Sequence, residues 1–430
     1  MKYNSVSIKR LALGLLIIGL STSPLVATES VSKASEHLLT WEACLALARA
    51  KQPQLGLVAA KLKAAEAKLQ DTYKTYFPTL SLDASFTESG TGTTASGGSN
   101  SLSASLAKDF FTTEQDEASV AAAKADYLKT KASVQSTLSD ASYALSQAFI
   151  AMTYQQSNIT LLEAIAARRK ANLDLVELRF EGGREHKGSL LHSDAAYRQA
   201  VSDGIQAKRG LDVARRQLSA AIGINVAADA TVGTDVWQYA PTIETPDIDA
   251  LVDTLPDAIS AHANLAAAEA DVIVAKHTYR PTIAGSASLS KSGSSLSLDN
   301  PSWSAKLGLS LPTYIDPRDQ LNQTQYQAAA DEASFTLQQT LKTLAYQLQS
   351  AYVGMLNAHE AVDIQQGFVA AAQLRSEIGT HQYTTGLLSF DNWDVIENDL
   401  INQQKSLLSR QRDAQLADAA WQQIQGKGVL

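Results

Sequence analysis

One stretch of the chain occurs twice, and this repeat limits the possible folds more than any other sequence feature. The run over residues 53–79 returns without a gap over residues 256–282. Both runs contain Ala-Ala-Glu-Ala and end in Tyr-x-Pro-Thr. The same offset places Gly183 on Gly386. A repeat that stays in register over such a distance predicts one structural unit built twice.

The first residues have the parts of a secretory signal peptide, which we predict over residues 1–27. Basic residues precede an apolar run at 11–20, and small residues follow it near Ala27. An uncleaved membrane anchor is the alternative, but the apolar run is too short to span a bilayer as a helix. Cleavage would remove basic residues from a chain of net charge −8. The acidic remainder argues against nucleic acid as a partner.

The rest of the sequence has no apolar run of the roughly 18 residues that a spanning helix needs. A mature chain that crosses a membrane would therefore use strands. The single cysteine, Cys44, has no partner for a disulfide within the chain. It lies in an Ala/Leu-rich helical pattern, which favours a position in a packed core. Its distance from the cleavage site argues against a lipid anchor.

Each repeat begins with a helical pattern that ends at a proline. In the first repeat, predicted over residues 28–222, helical periodicity covers residues 41–76 with Thr40 as N-cap and a break near Gln52. Pro78 ends the helix because the residue before a proline is disfavoured in the α region.

Beyond each of these prolines the apolar period changes from helical to alternating. The alternation predicts two β-hairpins, over residues 79–108 and 282–311, with a Gly/Ser/Thr-rich loop in the first. Apolar residues alternate with serine and other small polar residues. Four such strands are typical of a transmembrane β-barrel. For each strand taken alone, a soluble hairpin with one buried face is the alternative.

Two very long helices follow the hairpins, predicted over residues 113–180 and 317–383, the second with Asp316 as N-cap and Pro317 in its first turn. Helices of this length need lateral support. Apolar residues recur at every seventh position, which is the pattern of a coiled coil. In the first helix these are Leu138, Leu145, Met152, Ile159, Ala166, Leu173 and Phe180.

Each long helix ends in a glycine turn, here called a tip, which leads into a returning helix. The tips are predicted over residues 181–189 and 384–389. Large apolar residues recur at every seventh position of the second returning helix, whereas serine and alanine hold those positions on the first. We therefore expect the two returning helices to pack differently. Residues 223–248 lack periodicity and are interpreted as a linker before the second repeat, over 249–430.

The order helix, hairpin, very long helix, glycine turn and returning helix, built twice behind a signal peptide, resembles the TolC-like outer-membrane efflux protein family. The Ala-Ala-Glu-Ala and Tyr-x-Pro-Thr motifs carry the resemblance, which covers essentially the whole mature chain. It implies a mainly α fold with a small β part. Three chains of a homotrimer would each contribute four strands to one 12-stranded transmembrane β-barrel above a long α-helical coiled-coil barrel.

The same resemblance implies a function. Its members are outer-membrane exit ducts of tripartite efflux pumps or type I secretion systems, and act as passive conduits across the periplasm and the outer membrane. The implied partners are a periplasmic adaptor (membrane fusion) protein, an inner-membrane pump or ABC transporter, and outer-membrane lipid. The alternative is a soluble periplasmic coiled-coil protein with a structural or adhesin-like role.

The resemblance also points to functional residues at the second tip. It implies that Tyr383, Gly386 and Leu387 belong to the periplasmic entrance, where the adaptor binds. It further implies that Asp391 and Asp394 project into the lumen as an acidic ring near the gate. Capping of the returning helix by these carboxylates is the alternative.

The first tip departs from this pattern because it contains three extra residues and is charged. Leu388 occupies the position where some family members have a gate-closing arginine, so that latch is not transferred. We hypothesise that Arg184 and Lys187 supply replacement gate or adaptor contacts; a solvated loop is the alternative. The residues of this tip are Gly182, Gly183, Arg184, Glu185, His186, Lys187 and Gly188.

The sequence predicts neither an enzyme nor a cofactor. It contains no nucleophile elbow, zincin motif, phosphate loop or dinucleotide fingerprint. His186 and His192 lie near Glu185 and Asp194, but their spacing fits no recognised ligand motif, so we predict no metal.

Overall fold

The computed structural model describes residues 38–91, 94–110, 112–233, 245–277, 280–294, 300–311, 317–428 and 430. The predicted signal peptide and the predicted N-cap Asp316 lie outside the described residues, as does Tyr279 of the second Tyr-x-Pro-Thr motif. Part of the predicted linker, residues 234–244, does so too.

The first repeat contains four α-helices around two long strands. In chain order its elements are β1 (Leu38–Leu39), α1 (Trp41–Lys51), α2 (Pro53–Thr72), a 3₁₀ turn (Tyr73–Tyr76), β2 (Thr79–Thr91), β3 (Thr94–Phe110), α3 (Thr113–Glu181) and α4 (Lys187–Ile222).

The second repeat has the same order of elements. A short strand, β4 (Thr231–Val232), precedes it and pairs in parallel with β1. The repeat then contains α5 (Ile248–Val252), α6 (Pro256–His277), β5 (Thr282–Gly293), β6 (Ser302–Ser310), α7 (Pro317–Thr385) and α8 (Phe390–Ile424). The predicted mainly α fold with a small β part, built as a tandem repeat, is confirmed.

The junction of α1 and α2 lies against the end of α4 at Gly223. Gln52, before Pro53, has extended backbone angles, and α1 therefore ends there. Gly223 ends α4 in the left-handed region, with φ 85°. A Cβ at Gly223 would lie 2.6 Å from the Lys51 carbonyl oxygen, so this contact between backbones requires glycine.

The two long helices, α3 and α7, have 69 residues each, which corresponds to roughly 100 Å at about 1.5 Å per residue. The returning helices support them in different ways, as expected. The heptad positions of α4 bury small residues, whereas those of α8 bury mostly large ones. These residues are Ser193, Ala200, Ala207 and Ala214 on α4, and Trp393, Leu400, Ala414 and Trp421 on α8.

Two hydrophobic clusters occupy equivalent places in the two repeats. Leu145 and Met152 of α3 are fully buried with Cys44 and Leu218. Burial raises the pKa of the Cys44 thiol to about 11, so the thiol stays protonated at neutral pH. The repeat-related Leu348 and Met355 of α7 are buried in a second cluster that includes Trp421. The repeat in sequence is therefore also a repeat of core packing.

The long strands form one antiparallel sheet in the order β2-β3-β5-β6. One face exposes large apolar side chains, among them Leu82, Trp303 and Leu307, each about three-quarters exposed. The other face presents paired serine hydroxyls, such as Ser81 and Ser105 at 2.7 Å. The polar segment that we predicted as a loop is largely strand. β2 continues as far as Thr91 and β3 starts at Thr94, and a bulge interrupts their pairing near Gly90. Among the described helices, none is long and apolar enough to cross a membrane.

Candidate functional site

The two tips are tight turns closed by glycines with left-handed backbone. Gly183 has φ 68° and Gly386 has φ 84°, a region that only glycine occupies without strain. Backbone hydrogen bonds close both turns: Arg184 N donates to Arg179 O at 2.8 Å, and Leu387 N donates to Gln382 O at 2.8 Å. α3 extends one residue and α7 two residues beyond the predicted ranges.

The charged insertion of the first tip is shorter than predicted because its last residues are helical. α4 begins at Lys187, so Lys187 and Gly188 lie in its first turn and not in a loop. The imidazole of His186 caps this helix by accepting a hydrogen bond from Ser189 N at 3.2 Å. Arg184 and Lys187 are exposed, and no ion pair joins either of them to a described residue.

Glu185 connects the insertion to the second tip. Its Oε2 accepts a hydrogen bond from the hydroxyl of Tyr383 at 2.9 Å, and its Oε1 accepts one from Ser189 Oγ at 2.9 Å. Burial alone would raise the pKa of Glu185, but these hydrogen bonds and that from His186 N bring it below its ordinary value. The Tyr383 pKa is raised by burial and by this carboxylate. The two tips of one chain are therefore held together by a charged hydrogen bond.

Tyr383 is fully buried in an aromatic cluster at the base of the tips. Its ring stacks on Trp393 with centroids 4.3 Å apart and planes within 6°. The Arg179 guanidinium lies 4.4 Å from the ring centroid and donates to the Tyr383 carbonyl at 2.7 Å. Trp393 Nε1 donates to Thr380 Oγ1 at 3.1 Å. The position of Tyr383 is thus fixed by side chains of both repeats: Glu185 and Arg179 of the first and Trp393 of the second.

The two aspartates of the second tip have different surroundings. Asp391 lies exposed in the first turn of α8. Asp394 is largely buried and accepts hydrogen bonds from Arg169 Nη1 at 3.4 Å and from Asn398 Nδ2 at 2.8 Å. Both aspartates line a groove with Gly188 and His192 of the first returning helix. Asp391 is therefore available to solvent, whereas Asp394 is tied to α3.

A buried carboxylate lies one helical turn beyond Asp394. Glu397 is fully buried and accepts hydrogen bonds from Arg168 Nε at 2.6 Å, from Asn172 Nδ2 at 2.9 Å and from the Ser376 hydroxyl. Burial alone would raise the Glu397 pKa, but these hydrogen bonds and the charge of Arg168 bring it below its ordinary value. This network joins α8 to both long helices just above the tips.

The described residues contain no group of three histidine, cysteine, aspartate or glutamate side chains placed to hold a metal ion. His186 contributes its ring to the cap of α4, and His192 packs edge-on against Phe390 with ring centroids 5.8 Å apart. Both histidines therefore have structural contacts.

The sequence matches the family described as outer membrane efflux protein over residues 44–224 and 250–427. The chain belongs to this family. The matched ranges cover both repeats and omit the segment between them. Among curated proteins, none matches the chain significantly.

Solved structures of the same fold cover nearly the whole chain. The outer membrane protein VceC from Vibrio cholerae is 20% identical, with a TM-score of 0.77 over 90% of this chain and 96% of VceC. The outer membrane channel MtrE from Neisseria gonorrhoeae is 15% identical, with a TM-score of 0.78 over 90% of this chain and 88% of MtrE. The outer membrane channel CmeC from Campylobacter jejuni is 16% identical, with a TM-score of 0.77 over 90% of this chain and 85% of CmeC.

Membership of the outer membrane efflux protein family confirms the predicted resemblance. It places the chain in the outer membrane and assigns it to efflux. The described tips are therefore the ends of an efflux channel's long helical hairpins. The family is described as an efflux protein family, MtrE and CmeC are described as outer membrane channels, and VceC is described as an outer membrane protein.

Some residues of the tip network were not anticipated from sequence. Glu185 lies inside the insertion whose cationic residues we singled out, and its contact with Tyr383 joins residues far apart in the chain. Glu397 had a usable signal, because it lies four residues after Trp393 and three before Leu400 on one buried helical face. A carboxylate on such a face needs a partner.

Replacing Tyr383 by phenylalanine should lower the free energy of unfolding by about 1.5 kcal/mol, since it removes a hydrogen bond to a carboxylate. The pKa of Glu185 is lower in the folded state than in the unfolded state, where it is near 4.5. The stabilisation that ionised Glu185 gives the fold is therefore present above the unfolded-state pKa and is lost as pH falls through the folded-state pKa. The stability of the Tyr383→Phe variant should depend less on pH in this acid range. Denaturant titrations at several pH values test it, with the exposed Tyr326→Phe on α7 as control. Equal losses in both variants would contradict the role of this bond.

Proposed function

We propose that three copies of the chain form a passive exit duct across the periplasm and the outer membrane, as part of a tripartite efflux pump or a type I secretion system. A periplasmic adaptor would connect the duct to an inner-membrane pump or ABC transporter, and that inner-membrane partner would supply the energy. The observation that carries this proposal is the four-stranded sheet, which has an exposed apolar face and two outer strands, β2 and β6.

The sheet requires other copies if it lies in lipid. Its apolar face, which includes Leu82 and Trp303, suits contact with hydrocarbon, and its serine face suits water. Unpaired strand edges are not tolerated in a bilayer, so β2 and β6 must find partners. Two chains would give eight strands, whose interior is filled by side chains. Three chains give the smallest barrel of this kind with an aqueous path.

The helical part also presents surfaces that suit a neighbouring copy. α7 exposes large apolar side chains at positions separated by two or three helical turns, which keeps them near one face. They are Phe335, Tyr346, Val353 and Ile364. Such a stripe is typical of a helix that packs against another helix. In the proposed trimer it would close the coiled-coil barrel between subunits.

The tips would form the periplasmic entrance of the duct. We assign the gate to Tyr383, Asp391 and Asp394, of which the buried Tyr383 and Asp394 hold helices together and the exposed Asp391 faces solvent. The adaptor would contact the exposed turns. Leu387 is 82% exposed, and a large apolar side chain exposed at the end of a hairpin suits contact with a protein partner. The proposed contact residues are Gly182, Gly183, Arg184, Lys187, Gly188, Gly386 and Leu387.

Neutralising the acidic ring should weaken cation preference. Three copies of Asp391 would bring three solvent-exposed carboxylates to the entrance. Asp391→Asn should therefore shift the reversal potential of single channels in planar bilayers toward zero under a salt gradient. Asp394→Asn should change stability more than selectivity, because Asp394 is paired with Arg169. Unchanged ion selectivity in the Asp391→Asn/Asp394→Asn double variant would contradict the proposed acidic ring.

Reversing the charge of Arg184 and Lys187 together should slow association with the adaptor, because charges at the rim of an interface mainly affect the association rate. The kinetics of adaptor binding to immobilised channel measure this effect. Lys129→Glu, an exposed charge reversal on α3 far from the tips, is the matched control. Identical association rates and leak conductance for the tip variant and wild type would refute the assignment.

The state of the purified mature protein tests the proposed function as a whole. We expect extraction only with detergent, a trimer that dissociates on heating in dodecyl sulfate, and ion conductance in planar bilayers. A stable monomer in the absence of detergent would instead favour a soluble periplasmic coiled-coil protein.

A further inference from the structure

The two outer strands of the sheet carry opposite charges on the same face. On the polar face of β2, among residues 79–87, the one charged side chain is Asp83. On the polar face of β6, the one charged side chain is Lys306. Both residues are exposed, and both belong to strands that have a neighbour on one side only within the described sheet.

Within one chain these two residues cannot meet. The rung of paired residues that starts at Thr79 passes through Ala107 and Ser286 and reaches Lys306. Lys306 is thus three strand spacings, or about 14 Å, from Thr79. Asp83 lies four residues farther along β2. Any contact between Asp83 and Lys306 must therefore be made between two copies.

The positions of the two charges match when the strand ends are level. Asp83 lies four residues after Thr79, the helix-side end of β2, and Lys306 lies four residues before Ser310, the helix-side end of β6. The helix-side ends of β5 and β6 are themselves level, because Thr282 pairs with Ser310. The same alignment of β6 with a second copy's β2, in antiparallel orientation, places Lys306 opposite Asp83.

We infer that β6 of one copy pairs with β2 of the next in the register that sets Lys306 opposite Asp83, so that this ion pair selects the subunit register. The inference rests on the proposed function, in which copies close a barrel. A slip by one residue would turn the apolar face inward. A slip by two residues keeps the faces and leaves each charge opposite a small polar residue or glycine. The ion pair distinguishes among these even slips, since opposite charges directly across a strand pair attract.

The inferred register also gives a reasonable barrel. It continues the rung from Lys306 to Asp83 of the next copy, which is a stagger of four residues over four strands. With about 3.3 Å per residue and about 4.8 Å per strand, this stagger corresponds to a strand tilt of about 35°. Transmembrane barrels have tilts of about 35–45°. The strand ends and the two charges define this register without reference to the tilt, so the tilt supports the register independently.

Disulfide trapping of the full-length trimer in detergent tests this register. The pair Asp83→Cys/Lys306→Cys should give covalent dimers and trimers on non-reducing gels after mild oxidation, because directly opposed residues lie within disulfide distance. The matched control is Asp83→Cys/Ser302→Cys, which moves one cysteine four residues along the same face of β6. Cys44 is buried and remains in both variants.

The outcomes separate the inference from the proposed function. Cross-links in the first variant and not in the control support the register. If the wild-type chain forms a trimer but the first cysteine pair fails to cross-link, or the control pair cross-links equally, the register is wrong. The proposed function as an exit duct is then unaffected. Absence of a wild-type trimer overturns both. As a second measurement, Asp83→Lys or Lys306→Asp alone should lower the temperature at which the trimer dissociates, and the exchanged double variant should restore it. Failure of the exchange to restore it counts against the ion pair.

Discussion

Replacing Glu397 by alanine should lower the free energy of unfolding by about 3 kcal/mol, the lower end of the range for breaking a buried ion pair. Glu397 is fully buried, and its removal leaves Arg168, Asn172 and Ser376 without their shared acceptor. The lower end applies because the Arg168 side chain is 37% exposed and remains partly hydrated. Chemical denaturation in detergent measures the loss.

Asp399→Ala is the matched control for Glu397. Asp399 lies on the same helix and pairs with Arg375 at 3.0 Å, but the Arg375 side chain is 61% exposed. A surface pair contributes at most about 1 kcal/mol. If both alanine variants lose the same small amount, Glu397 does not anchor α8 to the long helices.

The pH dependence of the Glu397 contribution follows from its depressed pKa in the fold. The stabilisation is present above the unfolded-state value near 4.5 and is lost as pH falls through the lower folded-state pKa. Glu397→Gln removes the titrating group, so its stability should change less with pH in this acid range than that of wild type. A steeper acid dependence in the glutamine variant would contradict the assignment.

Replacing Trp393 by alanine should lower the free energy of unfolding by about 3–5 kcal/mol, because it opens a cavity in a buried aromatic cluster. Trp393 is 2% exposed, stacks on Tyr383 and donates to Thr380. Loss of the stack should also loosen the two tips, since Tyr383 is the link between Trp393 and Glu185. We therefore expect a higher leak conductance in planar bilayers together with the loss in stability.

Val395→Ala controls for truncation on the same helix. Val395 is 63% exposed, so its truncation should change the free energy of unfolding by less than about 0.5 kcal/mol. If Trp393→Ala has the same stability and the same leak conductance as Val395→Ala, the aromatic cluster does not hold the tips together.

The periodicity of the sequence predicted the helices and strands. It did not predict which side chains of the two repeats contact each other. The repeat of residues 53–79 and the alternation in the strands were sufficient for the order of elements and the faces of the sheet, because both are local patterns. The extent of the first hairpin was underestimated, since strand pairing overrides the low β-propensity of a Gly/Ser/Thr-rich segment.

The network at the tips depends on contacts that no local pattern contains. Tyr383 was recognised as a tip residue, but its acceptor Glu185 lies in the other repeat and in an insertion with no counterpart. Asp394 resembled Asp391 in sequence, and the fold distinguishes them because only Asp394 faces Arg169 across the helix pair. The two aspartates differ because different helices lie beside them in the fold, and a local sequence pattern does not show which helices are neighbours.

The equal length of α3 and α7 has a consequence for the number of adaptor subunits that one channel can bind. In a threefold assembly the six hairpin ends would alternate between two kinds, because only the first of each pair carries the charged insertion. An adaptor that recognises the insertion would find three equivalent docking positions, whereas one that recognises the shared glycine turn would find six. The number of adaptor subunits bound per channel would therefore reveal which of the two is recognised.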